Sequence, residues 1–273
     1  QGGVLYFLWN RDNVGDCQVV THSEGKVMSQ AVRPLREPGA EVFIRFNEAV
    51  PILKKIVAVS GGSHDSVLLP EQNRFSRLVS ARKPFGLASN HKVRTEKQKS
   101  DLVAYWNGGP GFKKSGRGWV SLREITDANH LVDQWKVFIG KAYGDRGGGG
   151  ASRDSFPKAV LGRPFIGELD SVCTETYLAI GPCKSELEAR NICSYISCKL
   201  TRFLIMLHKP SQNVTQKVFT FVPSQDFSEK WTDEKLYAKY GLTVNEISFI
   251  EMAIRPMNLA DSSPEDYEVE DDD

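Results

Sequence analysis

A chain of 273 residues that is 40% hydrophobic and 10% aromatic can bury a real core, as one large domain or two small ones. No apolar run reaches the length of a membrane span and no signal peptide is evident, so neither membrane insertion nor secretion is expected and a cytoplasmic location is. The formal charge of +1 conceals a division: residues 1–160 carry 24 basic and 15 acidic side chains, and residues 161–273 carry 11 and 19.

In chain order, residues 4–9 read as a strand, residues 10–16 as turn chemistry and residues 17–21 as a second strand, together a hairpin. A polar loop with Pro34 and Pro38 follows, then a short strand over 42–46. Asn47 is placed to cap a helix over 48–59, with Pro51 tolerated in its first turn and Gly61-Gly62 ending it. From 68 to 150 short strands alternate with long polar loops. Residues 78–80, 102–106, 118–122 and 135–139 are strand candidates, and 127–133 suits a short helix. The four glycines at 147–150 predict a mobile loop or a domain linker.

Residues 165–166 and 176–180 read as strands. Ser185-Glu186-Leu187-Glu188 is a capping box that opens a single helix. Leu187, Ile192, Tyr195, Ile196, Leu200, Phe203, Leu204 and Leu207 recur along it at helical spacing, up to Lys209-Pro210. Residues 217–222 suit a strand. Thr232 caps a helix to Tyr240 stopped by Gly241, and Thr243-Val244-Asn245-Glu246 opens a last helix to about Arg255. The expected fold is therefore α/β of the α+β type, mixed and strand-rich with C-terminal helices.

The most unusual composition lies between Arg74 and Arg123, where twelve Lys and Arg residues stand against Glu96 and Asp101 alone. Phe75, Phe85, Tyr105, Trp106, Phe112 and Trp119 are threaded through it, with Gly108-Gly109-Pro110-Gly111. Cations interleaved with flat side chains and close-approach glycines suit a phosphate backbone and exposed bases. Arg82, Lys83, Lys113, Lys114 and Arg117 are the first candidates for DNA contact, with Arg74, Arg77, Lys141 and Arg146 behind them. The acidic run from Asp261 to Asp273 reads as a disordered tail.

Other chemistry is thin. Cys17, Cys173, Cys183, Cys193 and Cys198 form no CxxC pair and fit reduced structural thiols, so no zinc or other metal site is expected. His22, His64, His91, His130 and His208 are scattered, mostly in polar loops, and read as solvated or locally bonded. Gly109-x-Gly111 and Gly116-x-Gly118 are too short for a cofactor loop, and no Pro-Pro turn or P-loop occurs. A metal-dependent nuclease would need Asp16 close to Glu24 and Lys26. A structural alternative has the 187–207 stripe and the C-terminal helices docking another domain or a partner subunit.

Several segments carry a family resemblance. Gly2-Gly3-Val4-Leu5-Tyr6-Phe7-Leu8-Trp9-Asn10-Arg11-Asp12, with Gly15-Asp16-Cys17, resembles the closing hairpin of the catalytic domain in adenine-specific DNA methyltransferases of type II restriction-modification systems. The segments Phe43-Ile44-Arg45-Phe46-Asn47-Glu48-Ala49, Arg82-Lys83-Pro84-Phe85-Gly86-Leu87 and Cys173-Thr174-Glu175-Thr176-Tyr177-Leu178 are similar to the region that follows. So are Ser194-Tyr195-Ile196, Phe221-Val222-Pro223-Ser224-Gln225-Asp226-Phe227-Ser228 and Trp231-Thr232-Asp233. More distantly the chain resembles the recognition domain of the TaqI methyltransferase.

The resemblance covers all but the acidic tail. It implies a hairpin and connector of an absent methyltransferase domain over 1–40, a target-recognition domain over 41–258 and a disordered tail over 259–273. The chain, which starts without Met, would be a fragment. It would lack the catalytic turn and bind no cofactor itself, S-adenosylmethionine belonging to the parent enzyme. Its implied partners are double-stranded DNA, the upstream methyltransferase domain and an endonuclease subunit or domain. The base-reading residues cannot be carried over from the family.

Overall fold

The computed structural model describes residues 6–12, 14–23, 25–108, 115–142 and 157–257. Helices and strands are both present in quantity, the strands in three small sheets, so the fold is α+β. Strands β1 (Cys17–Ser23) and β2 (Lys26–Arg33) form an antiparallel hairpin. Helix α1 (Ala49–Val59) follows. Strands β3 (Asp101–Trp106), β4 (Gly116–Ser121) and β7 (Ser171–Cys173) make a second sheet in the order β4-β3-β7, with β7 parallel to β3. Strands β5 (Trp135–Gly140), β6 (Phe165–Gly167) and β8 (Tyr177–Cys183) make a third in the order β6-β5-β8, all antiparallel to β5. Helices α2 (Glu186–Ser197), α3 (Lys199–His208), α4 (Asp233–Lys239) and α5 (Val244–Ala253) close the chain.

The β6-β5-β8 sheet separates two hydrophobic cores, which explains its nearly continuous burial. Successive strand side chains point to opposite faces. Val137, Ile139, Leu178 and Ile180 face a core shared with α1, α2 and α3. Phe138, Phe165, Tyr177 and Ala179 face a smaller core shared with Leu102, Ala104, Tyr105 and Val120 of the β3 sheet. Phe138 is the centre of the smaller core, with ring centroids of Tyr105, Phe165 and Phe85 at 5.7, 5.5 and 6.3 Å. Gly167 is required here: a Cβ would lie 2.6 Å from the Phe138 ring and 2.8 Å from Lys136 Cγ. Lys136 itself is wholly buried, and its Nζ donates to the carbonyls of Val132, Gln134 and Glu168 at 3.1, 2.8 and 2.8 Å.

Local signals located most elements. The 102–106, 118–122 and 135–139 candidates became β3, β4 and β5, and the two C-terminal helices keep their expected caps. Other expectations fail for reasons of tertiary pairing. The partner of β1 is β2, not residues 4–9; residues 6–10 form no strand, and Val4 and Leu5 lie outside the described residues. Residues 42–46 form no strand. Asn47 does not cap α1, because its side chain donates to Val19 O and Ser29 Oγ and accepts from Arg33 Nε, tying the hairpin to the body. Residues 78–80 contribute only a bridge, Val79 to Ile180, after a 3₁₀ turn at Phe75–Leu78. Residues 127–133 are a turn held by the Asp127 carboxylate, which accepts from the Leu131 and Val132 N–H.

The expected helix from 185 to 207 is two. The break falls at Cys198, where the Asp233 carboxylate accepts the N–H groups of Lys199 and Leu200 at 2.9 Å each, capping α3 from outside. Arg202 Nε returns to the Ser197 carbonyl at the end of α2. Residues 217–222 form a 3₁₀ turn (Gln216–Phe219) rather than a strand. The 187–207 stripe is buried in the chain's own core, Leu187 excepted, so it is not an open docking face. The glycine run at 147–150 and the acidic tail lie outside the described residues.

Candidate nucleic-acid interface

Five strand ends converge around residues 174–176. The Thr174 N–H donates to Tyr105 O at the end of β3, and the Lys141 N–H, just past β5, donates to Thr176 O, both at 2.9 Å. The Asn107 N–H donates to Thr176 Oγ1 at 2.8 Å, the Thr174 and Thr176 hydroxyls lie 2.7 Å apart, and Ser115 Oγ donates to Asn107 Oδ1 at 2.7 Å. Segment 174–176 thus pins the exits of β3, β5 and β7 and the entries of β4 and β8.

At the centre of this junction is Glu175, whose side chain is 7% exposed. Its Oε1 accepts Lys141 Nζ at 2.6 Å and Arg82 Nε at 2.5 Å, and Lys83 Nζ lies 3.6 Å from Oε2. The hydrogen bond from Lys141, followed by that from Arg82, holds the Glu175 carboxyl at a pKa of about 2. One negative charge therefore faces three positive ones, with Arg82 70% and Lys83 43% exposed. The turn that carries these two cations is anchored by its apolar residues: Pro84, Phe85 and Leu87 are buried, and the Gly86 N–H closes the turn on Lys83 O at 3.0 Å. Lys83 adopts φ +58° and Gly86 φ +74°, so the turn depends on a left-handed residue at both places.

Three sequence-nominated residues, Arg82, Lys83 and Lys141, thus meet at one carboxylate. Arg117, in β4, lies opposite Tyr105 at the same end of the sheet. Lys113 and Lys114 belong to segment 109–114, which joins this end through Gly108 and Ser115, and Arg146 follows Ala142; all three lie outside the described residues. Arg74 and Arg77 do not join the cluster. Arg74 Nε donates to Leu69 O at 2.8 Å, and its backbone bridges Pro223 in the helical half. Arg77 is exposed on the 3₁₀ turn and reaches Gln72 O.

Not every cation of the basic stretch faces outward. Arg94 grips both oxygens of Asp101 and also Glu124, which His91 approaches at 3.2 Å. The Arg94 hydrogen bond holds the Asp101 carboxyl below its usual range. Lys97 lies over the Trp119 ring at 4.8 Å from the centroid. His91 is half-buried beside Glu124, and His208 is buried with its ring edge-to-face with Phe221 at 5.2 Å. Sequence reasoning missed Glu175, Thr174, Thr176, Asn107 and Ser115. The only signal for Thr174, Glu175 and Thr176 was that they sit inside one of the resemblance segments, and Asn107 and Ser115 had none.

The hairpin register places Asp16 and Lys26 at opposite ends of β1, about 23 Å apart at ~3.3 Å per residue. They therefore do not converge on one metal, and Glu24 lies outside the described residues. Among the described residues no group of three His, Cys, Asp or Glu side chains is placed to hold a metal ion. An open cleft of about 330 Å³ between α1 and the α4–α5 turn is lined by Lys54, Lys55, Val59, His64 and Tyr240. It offers neither a carboxylate for ribose hydroxyls nor a glycine-rich loop, so S-adenosylmethionine does not fit there. Among the described residues no helix is long and apolar enough to cross a membrane.

Compared with known proteins, the chain matches no family model, no curated protein and no solved structure.

Proposed function

We propose that this chain is a DNA-binding module that clamps duplex phosphates with the cations gathered where β3, β4, β5 and β8 meet. The observation that carries the reading is the Arg82–Lys83–Lys141 group around Glu175, a net charge of +2 at a junction of strand ends. Lys113, Lys114 and Arg146, nominated with them in the sequence, lie outside the described residues. Such cations position a protein on DNA, while base edges are read by other groups. Two of the segments that carry the methyltransferase resemblance, 82–87 and 173–178, come together in this cluster. The fuller reading is a target-recognition domain of a cytoplasmic adenine-specific methyltransferase, serving a catalytic domain that binds S-adenosylmethionine and flips the base, alongside an endonuclease subunit or domain. Titration of a labelled duplex at low salt tests the module: saturable binding supports it, and no binding refutes it.

A second reading, docking to another domain or subunit, is favoured by a separate surface. Tyr6, Phe7, Leu8 and Trp9 are 73–97% exposed, and Val27, Met28 and Val32 are exposed on the adjoining hairpin. Replacing Leu8 and Trp9 with Ser is expected to leave DNA binding intact and to abolish association with such a partner.

A further inference from the structure

Glu175 grips the 82–87 turn at both ends. Its carboxylate holds the Arg82 side chain, and its backbone N–H donates to Leu87 O at 2.9 Å. Between these points Pro84 and Phe85 are buried, so the turn has little freedom to shift. The same carboxylate oxygen takes Lys141, which lies just past β5. Both Arg82 Nε and Nη2 bond Oε1, so one edge of the guanidinium is engaged while the side chain as a whole stays largely open to solvent.

An arginine braced along one edge by a buried carboxylate, with two ammonium groups beside it, offers its remaining donors in a fixed direction. Without Glu175, three positive charges sharing one carboxylate's surroundings would repel one another and spread. The left-handed backbone of Lys83 points the same way, since a non-glycine residue held there marks a position over-determined by its surroundings.

We infer that Arg82, Lys83 and Lys141 form a binding subsite for a single phosphate oxyanion, and that Glu175 is its positioning residue, not a competitor for the cations. The inference rests on the DNA reading only for the source of the phosphate; the subsite itself takes any accessible oxyanion of that shape. Glu175 aligns the donors before the ligand arrives, which lowers the ordering cost of binding.

The test uses the full chain and two probes. With duplex DNA at low salt, Glu175→Gln is expected to weaken binding about tenfold, the scale of one charged hydrogen-bonded contact. Glu175→Asp should recover part of that affinity, and the thermal melting of each variant shows whether the fold is kept. Equal or tighter binding by a folded Glu175→Gln protein overturns the positioning role, because a mere competitor would release its cations to the DNA. With inorganic phosphate, the Arg82 Nε–H and Leu87 amide signals should shift in the wild type, and the Leu87 amide should stay still in Arg82→Gln/Lys141→Gln. Phosphate shifts without DNA binding would leave the subsite standing and remove the DNA reading. DNA binding with unmoved phosphate signals would remove the subsite and leave the DNA reading.

Discussion

Lys141 Nζ and Glu175 Oε1 lie 2.6 Å apart, and that bond joins the end of β5 to the segment that links β7 with β8. It is also the largest influence holding the Glu175 carboxyl at about 2, below its ordinary 4.5. A carboxylate whose pKa is depressed on folding stabilises the folded state above the unfolded value and loses that stabilisation as pH falls through the folded one. The wild type should therefore lose stability relative to Glu175→Gln between pH about 4.5 and about 2, and the two should run parallel above that window. Urea denaturation at steps of pH checks this, and parallel curves throughout would contradict the ion-pair geometry.

Lys136 should give a dependence of the same sign in an alkaline window. Burial lowers its ammonium pKa from 10.5 to about 8 despite three carbonyl acceptors. The unfolded chain therefore binds more protons than the folded one between these values, and folding gains stability as pH rises from 8 toward 10.5. The wild type should gain on Lys136→Met across that interval, with a slope approaching about 1.4 kcal/mol per pH unit. A difference between the two that does not change from pH 8 to 10 would show that the lysine titrates as it does in water.

The α2–α3 break depends on Asp233. Its oxygens take two N–H groups that begin α3, and the residue lies 33 positions beyond Leu200. Asp233→Ala should cost roughly 1–2 kcal/mol, the scale of removing a helix cap, with Asp233→Asn retaining part of it. Chemical denaturation measures both, and an unchanged midpoint in Asp233→Ala would mean that water replaces the cap at no cost.

These residues show what was legible in the sequence. Helices α4 and α5 could be read because Thr232 and Thr243 cap them from within a few residues. Strands β3 and β5 could be read from short apolar runs. The α2–α3 break could not, since its cap arrives from another helix and nothing in the local pattern of apolar residues interrupts the stripe. The partner of β1 was misread because residues 4–9 look more strand-like than the polar β2, whose inward Arg33 is satisfied by Ile44 O, Asn47 and Glu37. Charge density located Arg82, Lys83 and Lys141. It could not separate Arg94, neutralised by Asp101 and Glu124, or supply Glu175, which lies 93 residues from Arg82 in sequence.

The salt dependence of duplex binding is the most direct test of the proposed interface. Binding of a labelled duplex to the wild type and to Arg82→Ala/Lys83→Ala/Lys141→Ala should be followed over a range of salt concentrations. The wild-type affinity should fall steeply and linearly on a double-logarithmic plot. The triple variant should bind more weakly, with a slope shallower by about one, since the three cations share a single phosphate and each phosphate left unneutralised removes ~0.9 from the slope. A wild type that does not bind at low salt, or a triple variant with the wild-type slope, would contradict the assignment of these three cations to DNA.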